Sequence, residues 1–76
     1  MSNTPSLKAR EVLEILFRAG FEKIRTSGSH IRLAKGKLRV TVPYHSKGTI
    51  PIGTLKSIIR QAGMTVPKFL SNREKK

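Results

Sequence analysis

The chain has 76 residues, with 16 Lys+Arg against 4 Asp+Glu and a formal net charge of +12. That length suits one domain with a small core, because a chain near this size buries only about 60% of its unfolded surface; hydrophobic residues at 37% are too many for simple disorder. The absence of cysteine excludes a disulfide framework, a thiolate zinc site and a Cys nucleophile.

Thr4-Pro5 reads as an N-cap and first helical residue. Ala9, Val12, Leu13 and Leu16 then recur at helical spacing, and Gly20 is a natural terminator, so a helix is expected over residues 5–19. Three short runs follow, at 21–26, 30–34 and 38–42, separated by Ser27-Gly28 and Lys35-Gly36, which suit two-residue hairpin loops. Pro43 ends the third run because it cannot donate to a ladder. Residues 44–52 read as a loop. A second helical stripe, Leu55, Ile58, Ile59 and Ala62, starts from Thr54 as cap and stops at Gly63; Phe69 and Leu70 are expected to pack back on the core. The expected fold is α+β, in the order α-β-β-β-α, with both helices on one face of a three-stranded antiparallel sheet. One domain should occupy residues 5–70, with residues 71–76 a solvated basic tail.

Loops centred on Lys35-Gly36 and Ser27-Gly28 would pair Leu33 with Leu38, Arg32 with Arg39 and His30 with Thr41, and on the other side Arg25 with His30 and Lys23 with Arg32. Alternation then segregates the side chains. One face carries Ile24, Ile31, Leu33, Leu38, Val40 and Val42. The other, left open, carries Lys23, Arg25, His30, Arg32, Lys37, Arg39 and Thr41. Like charges facing one another weaken a sheet, so a row such as Lys23, Arg32 and Arg39 points to a partner that supplies negative charge.

The charge distribution supports this. The acids are Glu11, Glu14, Glu22 and Glu74, and eleven Lys/Arg lie between Lys23 and Arg73 with no carboxylate among them. Such an imbalance points to a polyanion, and nucleic acid is the expected partner. No apolar stretch approaches a membrane span, and residues 1–10 lack the apolar run of a secretory signal, so a cytoplasmic location is expected.

The chemistry open to this chain is narrow. A two-metal nuclease needs clustered carboxylates, a zinc site needs three or four ligands, and neither set is present; no metal or other cofactor is expected. Without Asp there is no Ser-His-Asp set. RNA cleavage without a metal remains open, because RNA carries its own nucleophile in the 2′-hydroxyl. Histidine titrates near neutrality and can remove that proton, while flanking cations stabilise the charge developing on phosphorus. His30 on the basic face is the residue so placed. His45, and Lys47 beside it, follow the third strand and are second candidates, for protonating the leaving oxygen or for holding phosphate. In the plainer alternative, His30 is an ordinary surface residue and His45 a turn residue.

Three segments, Gly28-Ser29-His30, Val42-Pro43-Tyr44-His45 and the run Gly53-Thr54-Leu55-Lys56-Ser57-Ile58-Ile59-Arg60-Gln61-Ala62-Gly63, together with Ala19-Gly20-Phe21 after the opening helix, resemble the HicA (YcfA-like) toxins. The resemblance covers roughly residues 5–70. It implies a fold like that of double-stranded-RNA-binding domains. It also implies the toxin half of a type II toxin–antitoxin pair, an mRNA endoribonuclease that blocks translation, with a HicB-type antitoxin as partner. It further implies His30 as the catalytic histidine, preceded by a turn at Gly28 and Ser29, and assigns no general acid. The rivals are a non-catalytic RNA-binding module, which would tolerate loss of His30; a DNA-binding protein, disfavoured because no recognition helix is evident; and a basic face that serves only to dock an acidic protein. A monomeric free toxin is expected.

Overall fold

The computed structural model describes residues 6–44 and 48–72. Six elements follow one another: α1 (Ala9–Arg18), β1 (Glu22–Ser27), β2 (His30–Lys35), β3 (Leu38–Pro43), α2 (Ile52–Gln61) and α3 (Val66–Ser71). The strands form one antiparallel sheet in the order β1-β2-β3. The α+β arrangement α-β-β-β-α is therefore present, with α3 added at its end. Among the described residues no helix is long and apolar enough to cross a membrane.

One face of the sheet is covered. Leu33, Val40 and Val42 are fully buried against Val12, Ile15 and Leu16 of α1 and Leu55, Ile58 and Ile59 of α2. The opening helix starts later than expected. Thr4 and Pro5, its expected cap and first residue, lie outside the described residues, and Lys8 is the N-cap, in extended backbone. The Lys8 N–H donates to the Glu11 carboxylate at 2.9 Å, which satisfies one donor ahead of the helix and places negative charge at its positive end. The second helix starts earlier than Thr54. Pro51, with φ −55°, is its N-cap, and the Leu55 N–H donates to the Pro51 carbonyl at 2.8 Å, so Thr54 lies inside the first turn. The Ile50 N–H donates to the Leu7 carbonyl at 2.8 Å and ties the two helix starts together.

The third helix was not expected, although its signals are local. Thr65 caps it by accepting from the Lys68 N–H at 3.3 Å, and Pro67 sits in its first turn, where a missing N–H costs nothing. It carries Phe69 into the core with no exposed surface. Arg18 of α1 donates from Nη1 to the Asn72 carbonyl at 3.2 Å, and Asn72 is itself buried. Residues 73–76, most of the expected tail, lie outside the described residues.

Both hairpins are displaced from the expected register. His30 faces Ser27 rather than Arg25 across β1, and Pro43 rather than Thr41 across β3. The loops are Gly28-Ser29 and Gly36-Lys37, with Gly first in each. Gly28 has φ 58° and Gly36 φ 59°, while no non-glycine residue described has positive φ. A two-residue loop that needs a left-handed residue only at its first position takes Gly there, which moves each turn one residue along the chain. Every cross-strand partner then shifts by two, and a shift of two leaves each side chain on its own face.

The first strand departs further. Its pairing jumps from Lys23 opposite Leu33 to Arg25 opposite Arg32, which leaves Ile24 as the extra residue of a bulge. Ile24, expected in the core, is 52% exposed. Lys23, expected on the open face, shares the helix side with Leu33, and Glu22, opposite Ala34, takes its place at that end of the open face. Leu38 also leaves the expected core, at 38% exposed, because it flanks the second hairpin loop at the rim of the sheet and its side chain rests near Gly63.

Candidate nucleic-acid interface

The uncovered face is built in rows. Cross-strand partners share a face, so the register gives Ser27, His30 and Pro43 as one row and Arg25, Arg32 and Thr41 as the next. Glu22, Ala34 and Arg39 form the third, farthest from His30. Arg25, Ser27, His30, Arg32 and Thr41 together line a shallow open depression of about 230 Å³. His30 and both arginines are exposed.

Arg25 and Arg32 stand directly opposite one another, and neither guanidinium has a hydrogen-bond or ion-pair partner among the described residues. Two cations facing each other cost the sheet stability, and no carboxylate shares their row. An incoming anion would remove that repulsion and find planar donors suited to phosphate oxygens. The depression therefore brings two exposed guanidiniums together with an imidazole.

The remaining cations expected on this face are placed differently. Arg39 is folded back, its Nη1 donating to the carbonyls of Gly36 at 2.8 Å and Leu38 at 2.9 Å, so it braces the second hairpin loop and does not line the depression. Lys37 lies in that same loop. Lys23 sits beside the bulge, on the helix side. Of the five basic residues expected to bind RNA, Arg25 and Arg32 are thus gathered at His30, and Lys23, Lys37 and Arg39 are not.

The turn before His30 is held from the side. The Ser29 carbonyl accepts from the Tyr44 N–H, which extends the β2–β3 ladder one pair past Pro43. Tyr44 immediately precedes His45; His45 and Lys47 lie outside the described residues. Gly28 has nothing within 4 Å of where a Cβ would stand, so its role is the left-handed backbone alone. Ser27, expected in the hairpin loop, stands opposite His30 because the turn is Gly28-Ser29. Among the described residues no group of three or more His, Cys, Asp or Glu could hold a metal ion.

No curated protein matches the chain. A family model described as the HicA toxin of bacterial toxin–antitoxin matches residues 9–64, from the start of α1 past the end of α2, and so takes in every residue that lines the depression. The chain belongs to the HicA toxin family and is a toxin of a bacterial toxin–antitoxin system.

Proposed function

We propose that this toxin is a metal-independent endoribonuclease that cleaves mRNA, with His30 as general base. The observation that carries the proposal is the depression in which an exposed imidazole borders two directly opposed arginines that have no partner among the described residues. In this reading the scissile phosphodiester sits against Arg25 and Arg32. His30 takes the proton of the adjacent 2′-hydroxyl, and the 2′-oxygen attacks phosphorus. The guanidiniums offset the charge that accumulates on the non-bridging oxygens. The P–O5′ bond breaks, which leaves a 2′,3′-cyclic phosphate on one fragment and a 5′-hydroxyl on the other. The leaving 5′-oxygen must gain a proton, and His45 and Lys47 are the residues to test as its source. Cleavage of mRNA would block translation, which is how the toxin would act in the cytoplasm. The unit that acts is the single domain of residues 5–70, as a monomer when free. Its partner is a HicB-type antitoxin.

The test is a defined single-stranded RNA incubated with the purified chain in excess EDTA. Cleavage should persist, with cyclic phosphate or its hydrolysis product on one side and 5′-hydroxyl on the other. Loss of cleavage with EDTA and its rescue by magnesium, or 5′-phosphate ends, would refute the internal-nucleophile route. A second reading, a non-catalytic RNA-binding module, rests on the same two arginines and dispenses with His30. Intact RNA after incubation with a chain that binds it would favour that reading.

A further inference from the structure

The two edges of the sheet differ. At the β1 edge all six residues of the strand are exposed. At the edge of β3, by contrast, the Thr41 N–H donates to Oε1 of Gln61 at 3.1 Å, and Gln61 Nε2 donates to Ser57 Oγ at 3.2 Å. The row that crosses the depression, Arg25, Arg32 and Thr41, therefore meets α2 at Gln61. Its span from β1 to β3 is about 10 Å, two strand spacings.

The second helix buries Leu55, Ile58 and Ile59, and Ala62 just after it, so its solvent side carries Lys56, Ser57, Arg60 and Gln61, all exposed. Lys56 and Arg60 are four residues apart, where like charges repel. The first turn holds no acid to complement the helix dipole. Arg60 in the last turn complements the helix dipole, whereas Lys56, one turn earlier, has no acid beside it on the helix. The Glu22 carboxylate stands in the row of Ala34 and Arg39, away from His30, and beyond Thr41 α2 carries no acid at all. A polyanion that leaves the depression past Thr41 meets two further cations on α2 and no carboxylate.

We infer that the RNA-binding surface runs from the depression over the edge of β3 onto α2, where Lys56 and Arg60 hold phosphates flanking the scissile one. Ser57 and Gln61 form the polar saddle between the two parts. The inference rests on the RNA reading above and adds a second binding subsite to it.

The experiment measures binding of a single-stranded RNA of about a dozen nucleotides, a length within the footprint of a small single-strand-binding domain, with every 2′-hydroxyl methylated to block cleavage. The wild type is compared with Lys56→Gln/Arg60→Gln and with Arg10→Gln/Lys68→Gln. The control pair removes equal charge from exposed sites on α1 and α3, helices that do not line the depression. The slope of log affinity against log salt should fall by about 1.4 in the α2 variant, at ~0.7 per phosphate contact on a single strand. The control should keep the wild-type slope. Equal losses in both variants, or an unchanged slope in the α2 variant while the wild type binds, would overturn the α2 track alone. No binding by the wild type would overturn the RNA reading and the track with it.

Discussion

Replacing His30 with Ala separates fold, binding and chemistry in one variant. The imidazole is exposed on the uncovered face, between Ser27 and Pro43, and contributes nothing to the core. Its loss should change stability by no more than about 0.5 kcal/mol, as for ordinary surface substitutions. Leu33, three residues along the same strand and fully buried, gives the contrast: Leu33→Ala should cost ~2–5 kcal/mol. RNA affinity of His30→Ala should change little, because Arg25 and Arg32 remain and an imidazole adds little to their attraction for phosphate. Cleavage should fall by ~10²–10⁴-fold, the contribution of a positioned general base, or roughly 3–5 kcal/mol of activation free energy at 1.36 kcal/mol per tenfold. Thermal unfolding, binding of a 2′-O-methylated RNA and single-turnover cleavage of the unmodified RNA read the three quantities separately. Unfolding of His30→Ala would mean that the side chain is structural and the uncovered face misassigned. A folded variant that binds and cleaves like the wild type would refute His30 as the base and make His45 the next residue to replace.

Two further outcomes follow from the same face. Arg25→Gln/Arg32→Gln should lower the salt slope of RNA binding by about 1.4, two contacts at ~0.7 each, whereas Arg39→Gln, whose guanidinium is already engaged by its own hairpin loop, should lower it by less; the reverse order would place the phosphate site at the loop. A HicB-type antitoxin should inhibit by covering the His30 face, so a saturating amount should abolish binding of the methylated RNA, and RNA retained on the toxin–antitoxin complex would contradict this.

The helical parts of the fold were legible for an ordinary reason. Apolar residues spaced at i, i+3 and i+4 can bury one side only as a helix, and both stripes did so: Ala9, Val12, Leu13 and Leu16 in α1, and Leu55, Ile58, Ile59 and Ala62 along α2 and its cap. The helix starts were less legible, because capping depends on tertiary ties. Lys8 is not a residue type that caps well. It serves because Glu11 accepts its N–H and because the Leu7 carbonyl, one residue earlier, is held by the N–H of Ile50, far along the chain. The short α3 was missed because six residues carry too little periodicity to read, although Thr65 and Pro67 announce its start.

The sheet shows why side chains can be assigned to the right face from an incorrect register. Moving each hairpin loop by one residue changes partners by two, and the side-chain period of a strand is also two. The assignment of His30, Arg25, Arg32 and Thr41 to one face therefore survived, while every named pair on it changed. A bulge adds a single residue, an odd step, and reverses the faces beyond it. That step lies between Lys23 and Arg25, so it removed Lys23 from the open face, put Glu22 there and left Ile24 in solvent. It falls on the far side of Arg25 from His30. The half of β1 that borders the depression keeps its parity, and so the arginine pair and the histidine come together whatever happens at the other end of the strand.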